Sequence, residues 1–343
     1  MAWSKNYKND WSLESVAVFK MQNSWDLKAH LLKEIVAKGG WVSAHNHLDK
    51  AYLIKTEDLE LAYVSLQEKW DLIDELKQKQ TVDEIYDRMA FGVEQQIAQG
   101  VTVLCTFIDV DPLIQDKSMR AAERVREHYK SQIKLLFANQ TVKGVLDQKA
   151  REWFDKGAEF VDIIGGLPGK DLGYEAEHLD ILLSTAKKYG KMAHVHVDQF
   201  NTPKEQETAL LVQKTIEHQM QGRVVGVHGI SIAAQPQATR QKLYREMKEA
   251  GVMMIACPTA WIDHRRREDL VPSHNSVTPV DEMIPAGITV ALGPDNIADY
   301  YKPFTDGDMW TELRFLLEAC HYYDLEQLVK IATSNGRQVL GLI

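Results

Sequence analysis

DEIYDRMAFGVEQQIAQGVTVLCTF, residues 83–107, reads as a helix, a stop and a strand in that order. Apolar side chains recur at Ile85, Met89, Phe91, Val93 and Ile97, the one-sided spacing of an amphipathic helix. Gly100 follows as a stop, because glycine takes the left-handed backbone that ends helices without a Cβ clash. VTVLCTF (101–107) is then a β-branched and apolar run of strand length.

The same unit recurs in both directions. WVSAHNH (41–47) precedes it, and IKLLFAN (133–139), VDIIGGL (161–167), MAHVHVD (192–198), VVGVHG (224–229), VMMIACP (252–258) and ITVALGPD (288–295) follow, making eight candidate strands. Helical patterns over 117–130, 173–189, 203–219, 236–250 and 325–341 occupy spacers between them. Strands separated by helix-length segments imply βαβ units and a parallel sheet, and eight strands close a barrel of roughly 250 residues. The 343-residue chain holds one such barrel with extensions, and no linker, low-complexity tract or repeat divides it. The expected architecture is therefore α/β: a (β/α)8 TIM barrel over residues 41–343. An N-terminal extension, 1–40, precedes it and is helical in part. It has a polar start, a short apolar stretch from Val16 to Phe19, and a helix-like DLKAHLLKEIVAKGG.

Composition narrows the function. The formal net charge is −9, with 49 acidic and 40 basic residues. That argues against a nucleic-acid partner, since binding phosphates needs a basic footprint. The one basic cluster, Arg265–Arg267, reads as a solvated loop or a contact for an anionic substrate group. No window approaches the roughly 18 apolar residues of a membrane span, and the N-terminus lacks the apolar core of a signal peptide. Three cysteines, Cys105, Cys257 and Cys320, form no CxxC pair. Free buried thiols and a cytoplasmic location are the expectation.

The chemistry sits at strand ends. The active site of a barrel of this kind lies at the C-terminal mouth of the strands. His45 and His47 close the first candidate strand, His196 and Asp198 the fifth, His228 the sixth and Asp295 the eighth. Strand period two points His45 and His47 the same way. Two imidazoles, a third from across the barrel and a carboxylate make a ligand set for catalytic zinc or a similar divalent ion, which lowers the pKa of a bound water to about 7. Each feature alone has an ordinary structural reading. A single HxH is weak, a lone histidine is usually a core residue, and GPDN is usually a turn. Four of them at four strand ends, in barrel order, point jointly to a metal. His194 shares a face with His196, so spacing leaves open which one binds. The position nearer the strand end favours His196.

These residues resemble the amidohydrolase superfamily, in its cytosine deaminase-like branch. HNHLDK (45–50) is similar to its first-strand HxHLD motif, and LQEKWDLI (66–73) to a helical stretch before the second strand. HVDQFN (196–201), VHGISIA (227–233), ACPTAWID (256–263) and LGPDNIADYYKPFTDGD (292–308) resemble the motifs of strands five to eight. The resemblance implies that His45, His47, His196 and Asp295 hold one divalent metal ion per chain, zinc or iron. Asp295 would take a proton from the bound water and pass it to the leaving group, and His228 would stabilise the tetrahedral intermediate. Gln199 stands where the cytosine deaminase pattern has a proton-shuttling glutamate. An amide hydrogen-bonds but carries no proton, so a substrate other than cytosine is implied. Asn296 replaces a second aspartate. Asn139, Phe107, Asp109 and Trp261 are further candidates for substrate contacts. Most relatives also carry a small β-sandwich, here expected to be absent or strongly reduced, with residues 1–40 or a neighbouring subunit of a homo-oligomer covering the exposed surface.

The implied reaction is hydrolytic cleavage of a C–N bond in a small amino- or alkylamino-substituted nitrogen heterocycle. Opening of a cyclic amide or lactone would use the same ligand set, and a non-catalytic ligand-binding barrel is the alternative of a different class.

Overall fold

The computed structural model describes residues 25–64, 66–140, 142–199, 202–262 and 276–343. The Val16–Phe19 stretch and the Arg265–Arg267 run lie outside them. Eight parallel strands pair in chain order: β1 (Trp41–Ser43), β2 (Val101–Asp109), β3 (Lys134–Gln140), β4 (Ile163–Gly166), β5 (Met192–Val197), β6 (Val224–His228), β7 (Met253–Ala256) and β8 (Val290–Leu292). Ala44 N donates to Leu292 O at 2.9 Å and Asp295 N to His45 O at 3.2 Å, joining the last strand to the first. All eight candidate strands are present in the (β/α)8 barrel expected from the sequence. Among the described residues no second sheet accompanies it.

Strand alternation divides the core. Val103, Cys105 and Phe107 point into the barrel with Val42, Ala138, Ile163, Val225 and Ile255. Leu104 and Ile108 point outward, into the layer between sheet and helices with Phe137, Ile164 and Val195. The helix expected before β2 spans Val82–Ala98 and starts with a capping box: Glu84 N donates to Thr81 Oγ1 at 3.2 Å and Thr81 N to Glu84 Oε2 at 2.8 Å. Such a cap contributes about 1 kcal/mol. Ile85, Met89 and Val93 are buried as the spacing predicts, whereas Phe91 is 47 % exposed and packs edge-on to Tyr52. Gly100, at φ +87°, turns the chain into β2.

Two helix boundaries differ from expectation. The 325–341 pattern is two helices, Leu325–Ala332 and Ser334–Val339. Thr333 breaks them, its Oγ1 donating to Val329 O at 2.6 Å and its backbone leaving the helical region at φ −134°. The segment 203–219 becomes helical only at Glu207. Helices Gln148–Phe160 and Met309–Ala319, absent from the sequence reading, complete the outer layer. The extension's helix is Leu27–Ala37, capped by the Asp26 carboxylate. No helix among the described residues is long and apolar enough to cross a membrane.

Candidate metal centre and active site

The histidines and Asp295 meet at the barrel mouth because the β1–β8 seam is narrow. β1 ends at Ser43, short of the histidines, but the chain stays extended and Asn46 forms a parallel bridge with Asp295. Gly293 permits this approach: a Cβ there would lie 2.5 Å from His45 O. The seam thus sets Asp295 against the imidazoles, with its Oδ1 3.3 Å from His45 Nε2 and 3.2 Å from His47 Nε2. His196 enters from β5, its ring centroid 4.9 Å from that of His45. Ligand atoms of His45, His47 and His196 lie within 4.8 Å of one another, as do those of His45, His228 and Asp295. Phe107 forms the floor, with its ring centroid 4.7 Å from His45 and 4.9 Å from His196.

This donor set fits a metal ion. Ligands about 2.1 Å from a tetrahedral ion stand about 3.4 Å apart, close to the Asp295–imidazole spacings. His196 Nδ1 lies 3.1 Å from Gly166 O, so Nδ1 carries the proton and Nε2 keeps a lone pair, buried with no partner. A carbonyl that fixes the tautomer of a ligating histidine is the usual outer partner at such sites. Burial brings the His45 imidazolium down to about 4, lowers that of His47, and puts that of His196 well below its ordinary value, where neighbouring imidazoles add to the effect. All three are neutral at pH 7, the form that binds metal. Burial alone would raise the Asp295 carboxyl. Lys302 and the two hydrogen-bonding imidazoles outweigh it and hold the group well below the usual range. Asp198, His228 and Asp295 all have positive φ, at 52°, 80° and 61°. Non-glycine residues in that region cluster where surrounding structure imposes them, active sites among them.

The other sequence candidates divide. Asn139 is buried. Strand alternation turns it outward, on the face of Leu135 and Phe137 and against Gly157 of the helix Gln148–Phe160, so it does not face the metal cluster as expected; its Oδ1 accepts from Gly165 N at 3.1 Å and its Nδ2 has no acceptor. Gln199 lies on the half-buried loop beyond β5. Asn296 donates from Nδ2 to Asp299. Asp109 receives Lys50 Nζ at 2.7 Å on Oδ1, and Lys77 Nζ lies 2.6 Å from Oδ2. Trp261 packs away from the metal cluster, in the outer core against Phe315. Its indole N–H donates to Thr278 Oγ1 at 3.0 Å, and that hydroxyl donates to His228 O at 2.5 Å, so the tryptophan braces His228 from behind. Asp198 is no part of either ligand cluster. Its carboxylate accepts the Glu207 and Thr208 backbone N–H groups, at 2.8 and 3.2 Å, and so anchors the start of the next helix. His194 lies deeper in the barrel, with Nε2 2.7 Å from Val339 O. Cys105, Cys257 and Cys320 are buried and free, and burial pushes the Cys105 and Cys320 thiols up.

Two lysines were not singled out from the sequence. Lys302 Nζ lies 3.4 Å from Asp295 Oδ2 and donates to Pro294 O at 3.0 Å and Thr259 Oγ1 at 3.1 Å. Glu312 holds the same threonine through its hydroxyl and its backbone N–H, at 2.8 and 3.0 Å. Lys50 acts on His47 electrostatically. The available signal was a basic residue inside the HNHLDK and DNIADYYKPF segments, which pattern alone does not separate from a surface lysine.

The Amidohydrolase family model matches residues 38–343. An uncharacterized protein of Haemophilus influenzae is 54 % identical over 262 residues, covering 75 % of this chain and 95 % of that protein. N-isopropylammelide isopropyl amidohydrolase from Pseudomonas sp. strain ADP is 27 % identical, covering 90 % of this chain and 77 % of that one. The structure of 5-methylcytosine deaminase from Klebsiella pneumoniae liganded with 5-fluorocytosine superposes with a TM-score of 0.81 at 25 % identity, over 88 % of this chain and 75 % of the other. A match that runs unbroken from Lys38 to Ile343, on a fold shared with that deaminase, makes the chain a member of the amidohydrolase family, a family of metal-dependent hydrolases.

Proposed function

We propose that the chain hydrolyses a C–N bond of a small amino- or alkylamino-substituted nitrogen heterocycle. The observation that carries this reading is that ligand atoms of His45, His47 and His196 lie within 4.8 Å of one another while Asp295 Oδ1 stands 3.2–3.3 Å from two of those imidazoles, with the Nε2 lone pair of His196 buried and unused. The relatives' names support the substrate class, since N-isopropylammelide and 5-methylcytosine are rings of this type.

Three imidazoles and one carboxylate would hold one divalent ion per chain, zinc or iron. When bound, the ion supplies an ionised water as nucleophile at neutral pH. Asp295, whose Oδ2 is turned from the imidazoles and lies 3.4 Å from Lys302 Nζ, would take the nucleophile's proton and return it to the departing nitrogen. His228 faces His45 and His196 at centroid distances of 5.8 and 5.3 Å, placed to stabilise the tetrahedral intermediate, in which negative charge collects on the oxygen or nitrogen bonded to the attacked carbon. Gln199, at the mouth, contributes hydrogen bonds and no proton.

The test is amine or ammonia release from a panel of amino-heterocycles by metal-loaded protein, beside Asp295→Asn. The variant should keep the fold and lose at least about a thousandfold in kcat, the upper range of a positioned acid–base group. Near-normal turnover in Asp295→Asn would refute the assigned role. Failure of fully loaded wild type to release amine from any ring would refute the reaction.

A further inference from the structure

Lys302 reaches back to the metal centre from the loop beyond β8. Asp299 folds that loop: its Oδ1 accepts the Tyr301 and Lys302 backbone N–H groups, at 2.9 and 3.1 Å. The lysine side chain is 5 % exposed and turns inward. Its ammonium donates to Pro294 O at 3.0 Å and to Thr259 Oγ1 at 3.1 Å, and stands 3.4 Å from Asp295 Oδ2. A buried ammonium gets little help from water, so these oxygens fix where it sits.

The threonine is itself held. Its hydroxyl donates to Glu312 Oε1 at 2.8 Å and its backbone N–H to Glu312 Oε2 at 3.0 Å. With its hydrogen directed to Glu312, the hydroxyl turns a lone pair to Lys302. Glu312 is buried on the helix Met309–Ala319. A line of side chains thus runs from that helix through Thr259, on the turn Pro258–Ile262 after β7, to Lys302 and Asp295.

The two oxygens of Asp295 are consequently engaged on different sides. Oδ1 faces His45 Nε2 at 3.3 Å and His47 Nε2 at 3.2 Å, and Oδ2 faces Lys302. A carboxylate can grip a metal ion through one oxygen or through both. Turning Oδ2 onto the ion would break its pair with Lys302 in a buried setting, where an uncompensated charge is costly. A single N–H from Lys302 leaves Oδ2 with lone-pair capacity for a proton.

We propose that Lys302 is a positioning residue that holds Asp295 to one-oxygen attachment at the metal centre and keeps Oδ2 for the proton. It acts through Asp295 and is itself set by Thr259 and Glu312. This rests on the reading of Asp295 as ligand and proton carrier, and adds what keeps the two roles on separate oxygens.

The experiment is visible absorption of the full chain loaded with cobalt(II), whose bands weaken as its coordination number rises. Lys302→Met should show a weaker, shifted band than wild type, because Oδ2 joins Oδ1 on the ion. Lys302→Ala should do the same. There n-propylammonium, which replaces the atoms removed, should restore the wild-type spectrum, and 1-propanol should not. On a ring that wild type turns over, Lys302→Met should lose about ten- to a hundredfold in kcat with KM unchanged. Spectra of both variants that match wild type overturn the proposal. So does a change that propanol reverses as well as propylammonium does, which is lost packing, or one that neither reverses, which is lost fold. The spectrum needs no turnover. A cobalt signature that follows the charge at position 302, without amine release from any ring, would sink the hydrolase reading and leave this proposal standing. Amine release with unchanged spectra would do the reverse.

Discussion

Gly293→Ala should damage both the barrel and its metal centre through a single methyl group. A Cβ at position 293 would stand 2.5 Å from His45 O and 2.8 Å from His45 N and Cβ. Those atoms are backbone or anchored to it, so no rotamer change relieves the overlap. Ordinary contact starts near 3.4 Å, so β8 and β1 must part by about 0.9 Å. The seam bonds on either side, Ala44 N to Leu292 O at 2.9 Å and Asp295 N to His45 O at 3.2 Å, then stretch towards or beyond the hydrogen-bond limit. Overpacking costs about 1–3 kcal/mol and each lost bond about 1 kcal/mol, so a destabilisation near 3 kcal/mol is expected. Unfolding entropy of about 2.1 cal/mol/K per residue, over 343 residues, converts that to a fall of about 4 °C in Tm. The metal should suffer more. His45 and Asp295 flank the seam, and a shift of about 0.9 Å far exceeds the roughly 0.2 Å tolerance of metal–ligand distances. Zinc affinity, measured by competition with a chromogenic chelator, should fall by at least about tenfold to a hundredfold. Gly190→Ala separates the two effects: its Cβ would meet nothing within 4 Å, but its φ is +65°. It should cost about 1 kcal/mol of stability and leave zinc affinity in place. A Gly293→Ala protein that binds zinc within about threefold of wild type would refute the link between seam and site.

Two further outcomes follow from buried polar groups. Asn139 lies on the outer face of the sheet, so Asn139→Ala should orphan the Gly165 N–H and lower stability by about 1–3 kcal/mol in urea unfolding while leaving KM within about twofold of wild type. A tenfold rise in KM at unchanged stability would refute that placement. Burial pushes the Glu312 carboxyl from 4.5 up to about 7, so folding favours its protonated form. That contribution is complete below about pH 4.5, is lost as pH rises towards 7, and stays lost above it. Relative to Glu312→Gln, the wild type should therefore lose roughly 3 kcal/mol between pH 4.5 and 8 in urea unfolding, and parallel curves for the two proteins would show that Glu312 does not titrate in that window.

Much of the fold was legible in sequence because strands buried on both faces and amphipathic helices differ in period and composition. The Val82–Ala98 helix with Gly100 behind it shows this, as does Val103–Cys105–Phe107 alternating with Leu104 and Ile108. The metal-competent residues were legible too, since His45, His47, His196 and Asp295 are costly residues to place at the ends of apolar strands. Trp261, Asp198 and the break at Thr333 were not. Each is decided by a partner remote in the chain or by a local bond that no periodicity records: the Thr278 hydroxyl, the first turn of the Glu207 helix, the Val329 carbonyl.

By itself, then, the order of residues determined the strand count, the parallel direction and the identity of the metal-competent side chains, because those follow from local pattern and chain reach. Only the closed barrel decided that β8 lies against β1, that Asp295 stands 3.2–3.3 Å from two imidazoles, and that four lysines from four elements share one cavity. Closure brings together residues as many as 298 positions apart, and which side chains then touch depends on register and on the room a glycine leaves.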